Sequence, residues 1–184
     1  EVITVYAQKR PQPKVEVSVA VSSIGGETLA ARRLGSTTAL DGIAPNFSAS
    51  NVSGEGTTPA LNIRGVGVFD YNTSTISPIA IYSDDVVSGG ANFLSSSLFD
   101  LAQIDVLRGP QGTLYGTGPI GGVVRIVTRA PAMGEESLSL SATRSRTDGG
   151  GWNSDYGLVA NLPIAGDRAA IRAALYGETY SGYI

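Results

Sequence analysis

Up to Pro131 apolar residues come in short runs whose period changes every few positions, whereas from Glu135 onward they alternate with polar residues over long stretches. The opening run Glu-Val-Ile-Thr-Val-Tyr-Ala-Gln-Lys is β-branched and is followed by Pro11 and Pro13, which predicts an extended terminus. Val15, Val17, Val19 and Val21 alternate with Glu, Ser or Ala and predict a half-buried strand. Glu27 to Leu34 puts Leu29 and Leu34 on roughly one side and stops before Gly35, the pattern of a short helix. Thr37 to Ile43 predicts a second short helix, stopped by Pro45. Asn46 to Thr58 reads as a polar, Gly/Ser-rich loop, and Ala60 to Arg64 as a strand closed by Gly65 and Gly67. After another polar loop from Phe69 to Ser77, the pattern predicts a strand over Pro78 to Ser83, a tight turn at Asp84-Asp85 and a return strand at Val86-Val87. Ser95 to Leu101 predicts one helical turn, and Gln103 to Leu107 and Gly122 to Thr128 predict strands.

In the second regime Leu138, Leu140 and Ala142 alternate with Ser137, Ser139, Ser141 and Thr143. Tyr156, Leu158, Ala160 and Leu162 alternate with Gly157, Val159 and Asn161, and Ile171, Ala173 and Leu175 with Arg172, Ala174 and Tyr176. A Gly-rich loop from Thr147 to Gly151 and a tight turn from Pro163 to Asp167 separate these stretches. The pattern predicts an antiparallel meander with one apolar and one polar face. An outer-membrane barrel has that pattern, and a soluble antiparallel sheet satisfies the alternation equally well. No run approaches the ~20 apolar residues of a membrane-spanning helix, but barrel strands cross with ~10 residues of alternating polarity.

Composition narrows the chemistry. With 24 Gly, 7% aromatic and 16% charged residues the chain suits turns and strands better than helical bundles. Thirteen basic against 16 acidic residues leave a formal charge of -3, so no basic excess suggests attraction to nucleic acid. Cys and His are absent, which removes disulfides, thiolate metal sites, the commonest metal ligand and the commonest general base. No enzyme activity, metal or cofactor is expected. Gly116-Thr117-Gly118-Pro119-Ile120-Gly121 satisfies the dinucleotide fingerprint, yet a β-branched strand rather than a helix should follow, Pro119 lacks an amide, and Ser141 stands near the expected acidic position. Three matches to the glycosylation sequon, at Asn46, Asn51 and Asn72, are unremarkable in Ser/Asn-rich loops. Asp84 and Asp85 are adjacent, so strand geometry would point them apart and a turn role fits better than an acid/base pair.

The stretch Val106-Leu107-Arg108-Gly109-Pro110-Gln111-Gly112-Thr113-Leu114-Tyr115-Gly116, followed by Gly121-Gly122-Val123-Val124-Arg125-Ile126-Val127-Thr128-Arg129-Ala130-Pro131, closely resembles the plug domain of TonB-dependent receptors. Leu61-Asn62-Ile63-Arg64-Gly65-Val66-Gly67 and Ala80-Ile81-Tyr82-Ser83-Asp84-Asp85-Val86 support the resemblance in the expected order. It covers roughly Glu1 to Pro131 and departs at Asp84-Asp85, where the family usually has Asp-Gly; a positive φ at Asp85 would carry mild strain.

The resemblance implies an α+β plug with a small mixed sheet and short helices, followed by the first antiparallel strands of a 22-stranded transmembrane β-barrel. Residues 1–14 would be an N-terminal extension, 15–131 the plug and 135–184 about three barrel strands. Three strands cannot span a bilayer alone, because open edges leave backbone groups unsatisfied in hydrocarbon, so the chain is expected to be a piece of a longer receptor. Family members import scarce nutrients such as iron-siderophores, haem, cobalamin or glycans. The implied partners are outer-membrane lipid, a small-molecule or chelate ligand, and the TonB protein, which pulls an N-terminal box. Val2, Ile3, Thr4 and Val5 resemble that box, and an extended β-branched peptide can pair edge-on with a partner strand; the same residues could instead form the first plug strand.

Arg64 and Arg108 match the two plug arginines that meet barrel-wall glutamates in the family, a forked contact suited to a latch. Gly109, Pro110, Gly112, Tyr115, Gly116, Gly121 and Gly122 match its plug motif, whose glycines allow close packing. Ser53, Gly54, Phe69, Tyr71, Asn72, Asn92 and Phe93 correspond to plug apices that face incoming ligand in the family. The implied location is the bacterial outer membrane, with the plug on the periplasmic side of the barrel lumen. A secreted or surface β-rich adhesin is the alternative.

Overall fold

The computed structural model describes residues 4–5, 12–51, 59–68, 77–88, 97–116, 119–164 and 168–181, which fall into two compact units, Glu1–Thr128 and Arg129–Ile184. In chain order the first unit contains β1 (Thr4–Val5), β2 (Gln12–Pro13), β3 (Ala20–Gly25), α1 (Gly26–Ala31), β4 (Phe47–Asn51), β5 (Pro59–Ile63) and β6 (Val66–Gly67). It continues with β7 (Ile79–Ser83), β8 (Val86–Val87), β9 (Leu101–Arg108), α2 (Gly112–Tyr115) and β10 (Gly122–Thr128). A five-stranded sheet runs in the order β3-β9-β10-β7-β8 and is mixed, since β10 lies parallel to β7 while the other neighbours are antiparallel. A smaller antiparallel sheet, β4-β5-β6, and the pair β1-β2 complete the unit.

Sheet residues are apolar on both faces because both faces are covered. Ile79, Ile81, Ile104, Val106 and Val124 pack with Leu29 of α1 and with Phe47, Ala49, Leu61 and Ile63 of the smaller sheet. The alternate positions Tyr82, Leu107 and Val123 pack with Val5, Val21 and Tyr115. Helix α1 lies directly on the start of β9: a Cβ on Gly26 would stand 1.8 Å from the Leu101 carbonyl oxygen.

Several elements differ from the sequence expectation for identifiable reasons. The predicted strand over Val15 to Val21 begins only at Ala20, where pairing with β9 starts at Ala20↔Arg108; Lys14–Glu16 form a 3-10 turn and Val15 is 92% exposed. Helix α1 ends at Ala31 because Arg33 takes a left-handed conformation (φ +53°) and the Leu34 N–H donates to the Leu29 carbonyl. The second predicted helix shrinks to a 3-10 turn over Thr38–Leu40, ended by a left-handed Gly42. Asn46 to Thr58 is not wholly loop: Phe47 and Ala49 are buried on one face of β4, paired to β5. Small Ala and Ser residues made that alternation weak in the sequence. Residues 97–100 form no helical turn; Leu98 is held by its N–H donating to the Gly35 carbonyl, and β9 starts at Leu101.

The second unit is a meander of β11 (Ser137–Arg146), β12 (Trp152–Pro163) and β13 (Ala170–Thr179), antiparallel throughout. The registers Leu138↔Ala160↔Ala173 and Leu140↔Leu158↔Leu175 gather the apolar positions on one face. Among the described residues no helix is long and apolar enough to cross a membrane, which says nothing of strands.

Buried Asn161 fastens the segment that leads into β11: its Nδ2 donates to the carbonyls of Ala132 and Glu135, and its Oδ1 accepts from the Ala132 N–H at 2.9 Å. Asn161→Ala leaves three backbone groups without these partners and is expected to cost about 1–3 kcal/mol. Amide exchange at Ala132 should accelerate correspondingly, and an unchanged rate there would refute this role.

Candidate functional site

At the end of β9 the chain turns through Arg108-Gly109-Pro110 into α2 and returns as β10. Backbone bonds stitch this return: Gly109 N–H to the Gly121 carbonyl (2.9 Å), Gln111 N–H to Pro119 (3.1 Å) and Gly121 N–H to Pro78 (2.9 Å). Gly109 and Gly122 have φ of +104° and +154°, a region L side chains rarely adopt. A Cβ on Gly122 would also stand 2.3 Å from the Leu107 carbonyl oxygen and 2.9 Å from Ile63 Cδ1, and one on Gly121 would stand 3.1 Å from Val66 Cγ1. The β5–β6 hairpin therefore rests on this glycine pair. Gly112 and Gly116 have open space around them, and Gly116 is again left-handed at +78°. Pro110 is exposed, whereas Tyr115 turns inward and is buried.

Arg64 and Arg108, expected to act alike, occupy different environments. Arg64 is exposed and left-handed (φ +55°) in the two-residue turn between β5 and β6, and its Nη1 comes within 3.6 Å of a Cβ built on Gly109. Arg108 is half-buried, with Nη1 donating to the Pro45 carbonyl at 3.2 Å and Nε to Ala20 at 3.4 Å. Arg108→Ala is expected to cost about 1 kcal/mol of unit stability, against less than about 0.5 kcal/mol for Arg64→Ala. Equal losses in amide exchange of β3 would contradict this assignment.

The sequence pattern did not single out the polar cluster buried beside Tyr115. Arg125 on β10 faces Asp105 across β9 and Tyr82 across β7, because these are register partners. Asp105 is fully buried and Arg125 nearly so; Arg125 Nη1 lies 3.9 Å from Asp105 Oδ2, and Nε lies 3.3 Å from Asp85 Oδ1. Gln103 Nε2 donates to both Asp105 oxygens at 3.2 and 3.0 Å. The Tyr82 hydroxyl donates to the Tyr115 carbonyl, and the two rings meet edge-to-face at 5.0 Å. Burial pushes the Tyr115 hydroxyl pKa above its ordinary value, with the Arg125 charge pulling the other way, so the phenol stays protonated at neutral pH.

The same cluster explains the departure at Asp84-Asp85. Both residues are left-handed, at φ +44° and +69°, which Asp tolerates in a two-residue hairpin turn. Asp84 accepts hydrogen bonds from Thr128 N–H (2.9 Å) and Oγ1 (2.7 Å), and Asp85 reaches Arg125. A glycine would allow the turn without supplying the carboxylate. The dinucleotide-like glycines lead into strand β10 rather than a helix, so the phosphate-binding geometry is missing. Among the described residues no group of three or more metal-ligating side chains converges.

Val5 is fully buried and β1 pairs with β2 through Thr4↔Pro13 and Val5↔Gln12; Val2 and Ile3 lie outside the described residues. So do all seven apical positions, Ser53, Gly54, Phe69, Tyr71, Asn72, Asn92 and Phe93.

A family model described as "TonB-dependent Receptor Plug Domain" matches residues 13–123. The pesticin receptor of Yersinia enterocolitica is 29% identical over 140 residues, covering 68% of this chain and 20% of that protein. Vitamin B12 transporter BtuB of Vibrio vulnificus is 28% identical over 130 residues, with 70% and 20% coverage. The solved ferripyoverdine receptor of the outer membrane of Pseudomonas aeruginosa superposes with a TM-score of 0.74 over 96% of this chain and 22% of that one; at 14% identity this is a likeness of fold. The chain spans about a fifth of the length of the curated relatives it matches.

Proposed function

Since the chain belongs to the TonB-dependent receptor plug domain family, we propose that it is the pore-filling part of a bacterial outer-membrane receptor for active uptake of a scarce nutrient, with β11–β13 as the first strands of the surrounding 22-stranded barrel. The family match over residues 13–123 carries this reading, and the α+β fold with its mixed sheet supports it. The surface-adhesin alternative is not favoured by that match. An iron-siderophore, haem, cobalamin or glycan is the substrate class. A relative named for vitamin B12 falls within that range, and substrate choice belongs to loops rather than to the shared framework.

In this reading the plug blocks the lumen from the periplasmic side. Ligand reaches the apices around Ser53, Gly54, Phe69, Tyr71, Asn72, Asn92 and Phe93, and the TonB protein pulls on Val2-Ile3-Thr4-Val5. Pulling would peel β1 from β2 and draw Val5 from the smaller core cluster, a short pairing that local opening can release. Arg64 and Arg108 would fork onto barrel-wall carboxylates, and the exposure of Arg64 leaves its guanidinium available for that contact.

Deleting the gene should abolish growth on one limiting source among iron chelates, cobalamin and glycans, and restoring it should rescue growth. Undiminished growth on every source would refute the uptake reading. In the complete receptor, Arg64→Ala and Arg108→Ala should each increase entry of a large antibiotic that the intact outer membrane excludes; unchanged entry in both variants would count against the latch.

A further inference from the structure

The apolar face of β11–β13 ends in a charged and aromatic group that the uptake reading does not use. Leu138, Leu140, Tyr156, Leu162, Ile171 and Leu175 on this face are 51–72% exposed. Following the same face beyond Ala142, the side chains become Arg144 and Arg146, which are exposed and register with Ser154 and Trp152. These arginines stand about 7 and 14 Å past Ala142 along the strand, the depth at which an apolar band gives way to headgroups. The Arg144 and Arg146 guanidinium carbons lie 4.5 and 5.9 Å from the Trp152 ring centroid, both within cation–π reach.

This group is held in place. Asn153, next to Trp152, donates to Thr147 Oγ1 at 2.9 Å and accepts from the Ser181 N–H at 2.9 Å, which ties the β11–β12 loop and the end of β13 to its position. No carboxylate of the described residues lies within ion-pair distance of either arginine. Two like charges on one indole repel, and a doubly acceptor-rich anion between them would relieve that repulsion while using the guanidinium N–H edges that stacking leaves open. Beside them, on the same face, lies a shallow apolar depression of about 460 Å³ lined by Leu140, Ala142, Tyr156, Leu158 and Leu175.

We propose that Arg144, Arg146 and Trp152 bind the anionic phosphate headgroup of a membrane lipid, one of whose acyl chains lies in this depression. Charge complementarity selects the headgroup, and continuity with the apolar face selects a lipid over a soluble anion. The inference rests on β11–β13 facing lipid, and the experiment separates the two.

The complete receptor is placed in phosphatidylcholine nanodiscs, and substoichiometric phosphatidic acid is titrated while its retention is counted by native mass spectrometry. Arg144→Gln with Arg146→Gln should weaken the tightest phosphatidic acid site roughly tenfold or more. Arg144→Lys with Arg146→Lys should lose less, and millimolar inorganic phosphate should leave the bound lipid in place. Quenching by brominated acyl chains, taken as the difference between wild type and Trp152→Phe, should place Trp152 at the lipid boundary. Absent quenching would overturn the barrel reading and this inference with it. Quenching with unaltered phosphatidic acid retention, or displacement by inorganic phosphate, would overturn this inference alone.

Discussion

Arg125→Ala is expected to destabilise the five-stranded sheet by about 3–5 kcal/mol, because it leaves Asp105 fully buried without its facing guanidinium. Gln103 would still donate to both Asp105 oxygens, but a neutral amide does not compensate a carboxylate charge removed from water. Asp85 would lose the same partner at far lower cost, since its side chain is 58% exposed. The readout is amide exchange of β9 and β10 in the complete receptor, where the loss corresponds to a hundredfold or greater acceleration, about tenfold per 1.4 kcal/mol. A second variant gives the effect its cause. Asp105→Leu combined with Arg125→Met removes both charges and should recover most of the loss. If the double variant is as unstable as Arg125→Ala alone, packing volume rather than stranded charge is responsible.

The glycines of the plug motif should not behave as equivalents. Gly122→Ala combines a backbone conformation at φ +154° with a Cβ 2.3 Å from the Leu107 carbonyl oxygen, so β9 and β10 must part or the β5–β6 hairpin must lift. Strain and overpacking together put the expected loss at about 2–6 kcal/mol. Gly112→Ala, in the same motif, meets open space at the first residue of α2 and should change stability by less than about 0.5 kcal/mol. Melting of the two variants side by side tests this, and comparable losses at both positions would show that the motif is not organised by the contact of β5–β6 with Gly121-Gly122.

The two predictions differ in how visible their residues were. Gly122 stood out through the motif resemblance, whose glycines allow close packing. Arg125 sat inside the β-branched run that follows as an ordinary interruption. Nothing local distinguishes an arginine facing solvent from one facing Asp105, since the difference lies in the pairing of β9 with β10 and of β10 with β7. Likewise Arg64 and Arg108 looked like a matched pair, and only the approach of Pro45 and Ala20 to Arg108 separates them.

Strand and turn placement was largely legible where the apolar signal was strong: the meander β11–β13 follows a period-two pattern set by each strand's own pleat, whereas β10 is a continuous β-branched run, as burial on both faces requires. It failed where amplitude was low or where a partner set the boundary, as in β4 and at the start of β3.

The sequence by itself determined the alternations, the glycine returns and the absence of Cys and His, and with them a β-dominated chain; the stretch from Val106 to Pro131 carried its resemblance to the plug family. Tertiary structure alone decided which charges are buried together, what the Asp85 carboxylate contacts from its turn, and which side of the meander gathers Arg144, Arg146 and Trp152. The reason is that hydrophobic period and turn chemistry are local properties. A buried charge, by contrast, is tolerated only through partners that the chain brings in from 20 to 40 residues away, as Asp105 and Asp85 are brought to Arg125.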